Sequence, residues 1–471
     1  MDPQRTRDFV DAAADTGSIP ALMEFVKVPS TSPLFDPEWE TNGLIRKAYT
    51  ILLDWATAQN VAGFSYEILS NPHEADLLYL EVQASSPGLP TVLMYGHMDK
   101  QPAFTGWHDF CGATNPAIKE NRLYGRGAAD DGYSITTAML SVKACQEQHQ
   151  PHGRVVMVLE TEEESGSPHL IDNINRIKDR IGTPSLIVCL DSGAMTYDRL
   201  WLTSSLRGVV AFDFKVEILQ NGVHSGDASG IVPSSFRIMR QLLSRIEDAE
   251  TGRIKLDFLH SPLEPKVYGD MADVCGLIGW SFIKSFPFVE GAQAMERDLV
   301  ENMLNRAWRP TLSVVGANGL PEAASAGNVL RPSTTLRLSI RLPPRINSSE
   351  AFEKIKEVLT TDVPYGAKVE ISRVGKGNGW AMNNPRKWLE DAYQEASNEF
   401  YGNKALYMGE GGSIPFMGSL QEIYPEADFL VIGVLGPESN AHGPNEMLDI
   451  PYYKKLTCCV AHMLATHAHQ H

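Results

Sequence analysis

Residues 91–97 (TVLMYGH) form an apolar run that ends on an imidazole, and Asp99 follows two positions later. Side chains at i and i+2 leave a strand on the same face, so the carboxylate of Asp99 can grip one ring nitrogen of His97 while a metal takes the other. Alone, an H-x-D of this kind is more often two polar residues in a surface loop. What gives it weight is repetition. Residues 154–160 (RVVMVLE) run straight into 161–166 (TEEESG), a concentration of carboxylates that no core would accept, and residues 185–190 (SLIVCL) end on Asp191. Residues 428–434 (DFLVIGV) lead through a Gly/Pro loop to His442, and residues 123–132 (LYGRGAADDG) place two acids ahead of a helical stretch from about Tyr133 to Glu147. Short continuous apolar runs are buried strands of a parallel sheet covered on both faces, and open α/β sheets hold ligands beyond the carboxyl ends of their strands. The pattern predicts an α/β core that gathers His97, Asp130, Glu164, Asp191 and His442 at one edge.

The grammar changes along the chain. From Arg5 to about Val28 a helical periodicity with Phe9, Ala12, Leu22 and Phe25 runs until Pro29, and strands then alternate with helices to about Leu202. Residues 209–218 (VVAFDFKVEI) instead alternate at period two, as a half-exposed antiparallel strand does. A helix from Ser234 to about Glu247, a segment rich in Pro, Trp and Phe, and alternating strands at 334–341 and 367–372 follow, before GKGNG at 375–379. The expected organisation is a core formed by residues 1–206 and 376–471, with a mixed, mostly parallel sheet covered by helices, interrupted by an α+β domain at 207–375. At 471 residues the chain is long enough for two cores. A formal net charge of −17 argues against a nucleic-acid partner. The N-terminus lacks the pattern of a signal peptide, and no apolar run is long enough to cross a bilayer. The six cysteines have neither disulfide-framework nor zinc-ribbon spacing, which fits a reducing cytoplasm.

Two histidines and three carboxylates suit two divalent ions, provided that one carboxylate bridges, and the Asp130 and Asp131 pair is the natural source of that bridge. A hydrolytic site also needs a general base within hydrogen-bond reach of the attacking water. Glu163, adjacent to the ligand Glu164, is assigned that role. Its alternative is a solvated acidic turn, disfavoured because the three glutamates leave a buried strand directly.

Several motifs together resemble the M20 metallopeptidases, nearest their dipeptidase and carnosinase-like branch: GHMDKQP at 96–102, YGRGAADD at 124–131, EESGS at 163–167 and EGGSIP at 410–415. Matches span about residues 90 to 445. The resemblance implies a zinc-exopeptidase-like core with a ferredoxin-like lid and dimerisation domain. It also implies that His97, Asp130 and Asp191 hold one ion and Asp130, Glu164 and His442 the other. Glu163 is then the base, and Asp99 fixes the tautomer of His97. In the lid, His224 within NGVHSG matches the histidine that reaches a neighbouring subunit's site and stabilises the oxyanion. Asn328 and Arg341 match positions that hold substrate, and Gly412 and Ser413 of the EGGSIP motif join them. The implied assembly is a homodimer through the inserted domain, with two divalent ions per subunit, Zn2+ first and Mn2+ or Co2+ as alternatives.

The third ligand is Asp191, as in di- and aminopeptidase-like members, where deacylases and glutamate-releasing carboxypeptidases carry Glu. Two positions depart from the pattern: Gly132 stands where Lys is usual, and Gly409 where Arg is usual. The expected activity is hydrolysis of dipeptides or short peptides with a free C-terminal carboxylate. The alternatives are an N-acyl-amino-acid amidohydrolase with the same site and a non-catalytic metal-binding scaffold. The histidines at 467, 469 and 471 have no carboxylate partners near them in sequence, Gly125 and Gly127 lack the third glycine of a dinucleotide fingerprint, and no G-x-S-x-G elbow occurs.

Overall fold

The computed structural model describes residues 1–412 and 414–470, so the Ser413 assignment lies outside the described residues. The chain forms two compact units, one of residues 1–203, 382–408 and 419–471, the other of residues 204–381 and 409–418. Among the described residues no helix is long and apolar enough to cross a membrane.

The first unit is built on a six-stranded sheet in the order Phe64–Leu69, Leu77–Val82, Arg154–Glu160, Thr91–His97, Pro184–Cys189, Asp428–Val431. The last four run parallel and the first two pair antiparallel. This is the mixed, mostly parallel sheet that the apolar runs imply. Register positions the site. His97 pairs with Glu160, and Tyr95 pairs with Cys189, so Asp191 lies level with His97 just beyond the adjacent strand. Helix Tyr133–Glu147 packs against the C-terminal helix Ile450–His469 and is buried almost all round. Its hydroxyls find acceptors on both helices: Thr136 donates to the Tyr133 carbonyl, and Ser141 to that of Thr457 across the packing. A polar side chain can sit in a buried helix only on such terms.

The N-terminal segment is helical over Pro3–Ala13 and Ile19–Val26, joined by a π-turn at Ala14–Ser18. Here the periodicity reading needs correction. Thr6, Val10 and Ala14 face the core, while Phe9 is half-buried and Ala12 exposed. The wide π-turn then resets the phase, so that Leu22 and Phe25 are fully buried.

The second unit holds a four-stranded antiparallel sheet in the order Thr311–Asn318, Ser333–Leu342, Gly208–Glu217, Lys368–Gly377. Helices Ser235–Leu243 and Ser348–Thr360 cover one face. Taken in chain order this is βαββαβ, the ferredoxin-like arrangement. Val210, Phe212, Phe214 and Val216 point into its core and their alternate neighbours stay half-exposed, so period two survives in the structure. Burial of each such large apolar side chain contributes about 1.5–3 kcal/mol. Residues 409–418, which the motif reading groups with the C-terminal part of the core, pack in this unit. Arg207 donates its backbone N–H to the Gly412 carbonyl and its Nε to that of Gly411, and Arg306 Nη1 donates to the Gly409 carbonyl at 2.6 Å.

Candidate metal centre

His97 ends its strand with a side chain wholly out of solvent. The preceding Gly96 lets another chain segment approach: a Cβ there would meet Asp131 Oδ2 at 2.6 Å. Asp131 uses that oxygen to accept the His97 backbone N–H at 3.0 Å, which docks the acidic pair onto the strand end. The peptide between Asp130 and Asp131 is cis. His97 Nε2 then lies 3.0 Å from Asp130 Oδ1, while Nδ1 lies 3.2 Å from the Asp99 carbonyl oxygen and 3.4 Å from Asp99 Oδ1. Asp99 also accepts the backbone N–H groups of Glu163 and Glu164, at 3.1 and 3.0 Å. Asp99 thus faces His97 Nδ1 with both its carbonyl and its carboxylate, and the carboxylate also holds the turn that carries both glutamates.

The other oxygen of Asp130 faces the second histidine. His442 Nε2 is 3.2 Å from Asp130 Oδ2 and 3.2 Å from Glu164 Oε2. Gln101 Nε2 donates to that same Glu164 oxygen at 2.6 Å. Two groups of ligand-type residues result, His97 with Asp130 and Asp191, and Asp130 with Glu164 and His442, each with its candidate ligand atoms within 4.8 Å of one another. Asp130 belongs to both.

This donor set fits two divalent cations. Imidazole nitrogens and carboxylate oxygens are the ligands such ions take, and a shared carboxylate is what a pair of ions needs. The electrostatics agree. Asp99, Asp130, Asp131, Glu160 and Glu164 are all buried, and Glu164 Oε1 has no hydrogen-bond partner. Burial works against charge on Asp130, yet hydrogen bonds from His442 and His97 hold its carboxyl well below the usual range. Burial, with the charge of Asp191 added, pushes Glu163 well above it. Glu164 is raised by burial and by Asp130. Hydrogen bonds to Asp130 and Glu164 push His442 up to about 11. A crowd of buried carboxylates with so few cations of its own is an arrangement that bound metal ions would neutralise.

The remaining predicted residues lie in the second unit. His224 pairs with Val329 across the two-stranded ribbon of Val223–His224 and Val329–Leu330, and the Asn328 carbonyl accepts the Ser225 N–H at 3.0 Å. His224 and Asn328 are therefore neighbours, with the His224 side chain 66% exposed. Arg341 sits in Ser333–Leu342, opposite Val209 and Thr311. Both departures from the family pattern have a steric reason. A Cβ at Gly132 would meet Phe25 Cε1 at 2.6 Å, and one at Gly409 would meet Ala307 Cβ at 2.7 Å, so neither position has room for Lys or Arg.

Sequence reasoning passed over three residues that shape the site. Glu160, level with His97, is buried and accepts the hydroxyls of Tyr95 and Ser167. Burial pushes it up to about 8. Arg126 and Glu446 form a buried ion pair of 2.7 Å behind Asp130. The only signal for the pair was position: Arg126 lies inside the motif chosen for Asp130, and Glu446 follows His442 by four residues.

The sequence model of peptidase family M20/M25/M40 matches residues 93–466. Over 433 residues the chain is 27% identical to a cysteinylglycine-S-conjugate dipeptidase of Corynebacterium striatum, covering 88% of this chain and 89% of that one. It is 26% identical over 411 residues to a Cys-Gly metallodipeptidase of Schizosaccharomyces pombe, 81% of each chain. It matches the crystal structure of human carnosine dipeptidase 1 with a TM-score of 0.77 and 21% identity over 99% of both chains, a likeness of fold.

Proposed function

Because the chain belongs to peptidase family M20/M25/M40, we propose that it is a two-metal dipeptidase acting on dipeptides or short peptides with a free C-terminal carboxylate. The observation that carries this reading is Asp130, whose two oxygens face two different imidazoles and which belongs to both ligand groups. The dipeptidase relatives and Asp191 at the third ligand position support a peptide over an N-acyl amino acid as substrate.

His97, Asp130 and Asp191 would hold one ion, and Asp130, Glu164 and His442 the other. When bound, the ions supply Lewis-acid polarisation of the scissile carbonyl and acidify the attacking water. Glu163 takes the proton from that water and returns it to the leaving amine. Its half-buried carboxyl stands next to the ligand Glu164 on the turn that Asp99 holds, which supports its carrying a proton between the two steps. Asp99 keeps His97 in one tautomer and Glu163 at a fixed distance from the ligands. In the second unit, His224 is assigned to the oxyanion from a partner subunit, and Asn328, Arg341, Gly412 and Ser413 to substrate binding, with the arginine pairing the terminal carboxylate. These roles, a homodimer through this unit, and zinc as the ion rest on the resemblance. The described cysteines are all unpaired, which supports a reducing compartment such as the cytoplasm.

A hydrolysis panel tests the reading: dipeptides, Cys-Gly and β-Ala-His among them, against N-acetyl and N-succinyl amino acids, each with zinc, manganese or cobalt added to the chelated protein. Dipeptides should be cleaved, with activity lost on chelation and restored by metal. Turnover confined to the N-acyl substrates would replace this reading with an amidohydrolase.

A further inference from the structure

We propose that Arg126 and Glu446 form a positioning brace for the loop that carries His442, and that this brace sets the affinity of the second ion, held by Asp130, Glu164 and His442, more than that of the first. The inference rests on the two-metal reading above.

Glu446 is fully buried, and its carboxylate collects the donors of the segment leading into Asp130. It accepts the backbone N–H of Gly127 at 3.0 Å, of Ala129 at 3.1 Å and of Asp130 itself at 3.2 Å. Arg126, also buried, forks between two partners. Nη1 donates to Glu446 Oε2 at 2.7 Å, and Nη2 to the carbonyl of Gly443, the residue after His442, at 2.7 Å. The guanidinium carbon lies 5.9 Å from the Phe104 ring centre and 5.8 Å from that of Trp107. The segment ending at Asp130 and the loop of His442 are thus tied by one side-chain pair.

The His442 loop is built so that it needs such a tie. Asn440, His442 and Asn445 all have left-handed backbones, with φ of 49°, 62° and 64°, which asparagine and histidine adopt more readily than most side chains but which belong to no helix or strand, so no backbone ladder fixes this loop. The His442 side chain is 57% exposed, so packing does not hold it. His97 is the opposite case, fixed by its strand and wholly buried. A purely structural ion pair would stabilise the fold without distinguishing the two ions. This pair places one guanidinium arm on the carbonyl next to one ligand of one ion only.

Arg126→Lys is the informative variant. Its ammonium keeps a positive charge beside Glu446 but lacks the planar fork that spans Glu446 and the Gly443 carbonyl together. Ion-free parent and variant are titrated with Zn2+ by calorimetry, alongside thermal melting of the ion-free proteins. The parent should take up two ions. In the variant the first should bind as in the parent and the second about 10-fold or more weakly, the scale on which outer-sphere partners act. The ion-free variant should melt somewhat lower, because the Gly443 carbonyl loses its donor, and kcat should recover at excess zinc. Glu446→Gln, which disturbs the shared Asp130, should weaken both ions. Parental affinity for both ions in Arg126→Lys, or equal weakening of both, overturns the brace. A parent that binds fewer than two ions overturns the two-metal reading itself, and the inference with it.

Discussion

His97 and His442 meet the same carboxylate from opposite kinds of structure. His97 is the last residue of a strand flanked on both sides by parallel strands, and its side chain is excluded from water. His442 stands on a loop with a left-handed backbone and a side chain 57% exposed. The first is positioned by the backbone ladder of the sheet, which would form with or without a metal. The second is positioned by polar contacts with other segments: Arg126 donates to the Gly443 carbonyl, and the loop's own Asn445 accepts the His108 N–H at 2.6 Å. A ligand drawn from a sheet is fixed by the fold, while a ligand drawn from a loop needs dedicated polar partners.

Asp130→Ala should erase the contrast, because it removes the one carboxylate common to both arms. Neither ion should then bind stoichiometrically, and peptidase activity should fall to that of the chelated protein, as metal analysis and a dipeptide assay would show. Retention of one tight ion would mean that the arms are independent. Glu163→Gln should leave both arms intact and separate metal binding from chemistry. Metal content should stay parental while kcat falls by about 10²–10⁴-fold, the usual contribution of a general acid–base. Parental kcat in this variant would remove Glu163 from the reaction.

The same contrast governs what could be read from the sequence. The central strands were legible because residues covered on both faces must be apolar, and each run stops where the chain leaves the sheet. Arg154–Glu160 and Tyr133–Glu147 therefore lie where the pattern placed them. The alternating strands of the second unit were legible for the complementary reason, that one face is buried and the other is not. Register along the N-terminal helix was not, since nothing in the spacing of Phe9 and Ala12 announces the π-turn at Ala14–Ser18. Nor was the Arg126 and Glu446 pair: 320 positions apart, each resembles an ordinary solvated charge until folding buries both. Glu160 was counted only as the end of an apolar run, and its place beside His97 follows from strand register, which a single sequence does not carry.

Asp99→Asn probes the buried arm at smaller amplitude. The amide can still accept one backbone N–H, but not two with the same strength, and it removes charge from beside His97 Nδ1. Loss of such an orienting partner costs about 10–100-fold in metal affinity. Because the same carboxylate holds the turn of Glu164, both ions should weaken here, unlike the Arg126→Lys outcome, and titration of the two variants side by side would show whether the His442 arm has a brace of its own.

The smallest effects concern stability in the absence of metal. His97→Ala opens a space inside the first unit, leaves Asp99 without an imidazole partner and leaves Asp130 with His442 alone, all of it at buried positions. Leaving buried groups unsatisfied costs about 1–3 kcal/mol. His442→Ala removes a mostly exposed side chain that faces the buried Asp130 and Glu164, but Asp130 keeps His97 and Glu164 keeps Gln101, and no buried space is opened. It should therefore destabilise the protein less than His97→Ala does. Denaturant unfolding of the two ion-free variants measures the difference directly. Equal destabilisation would mean that the His442 loop is part of the fold's own support and not an appendage held for the metal.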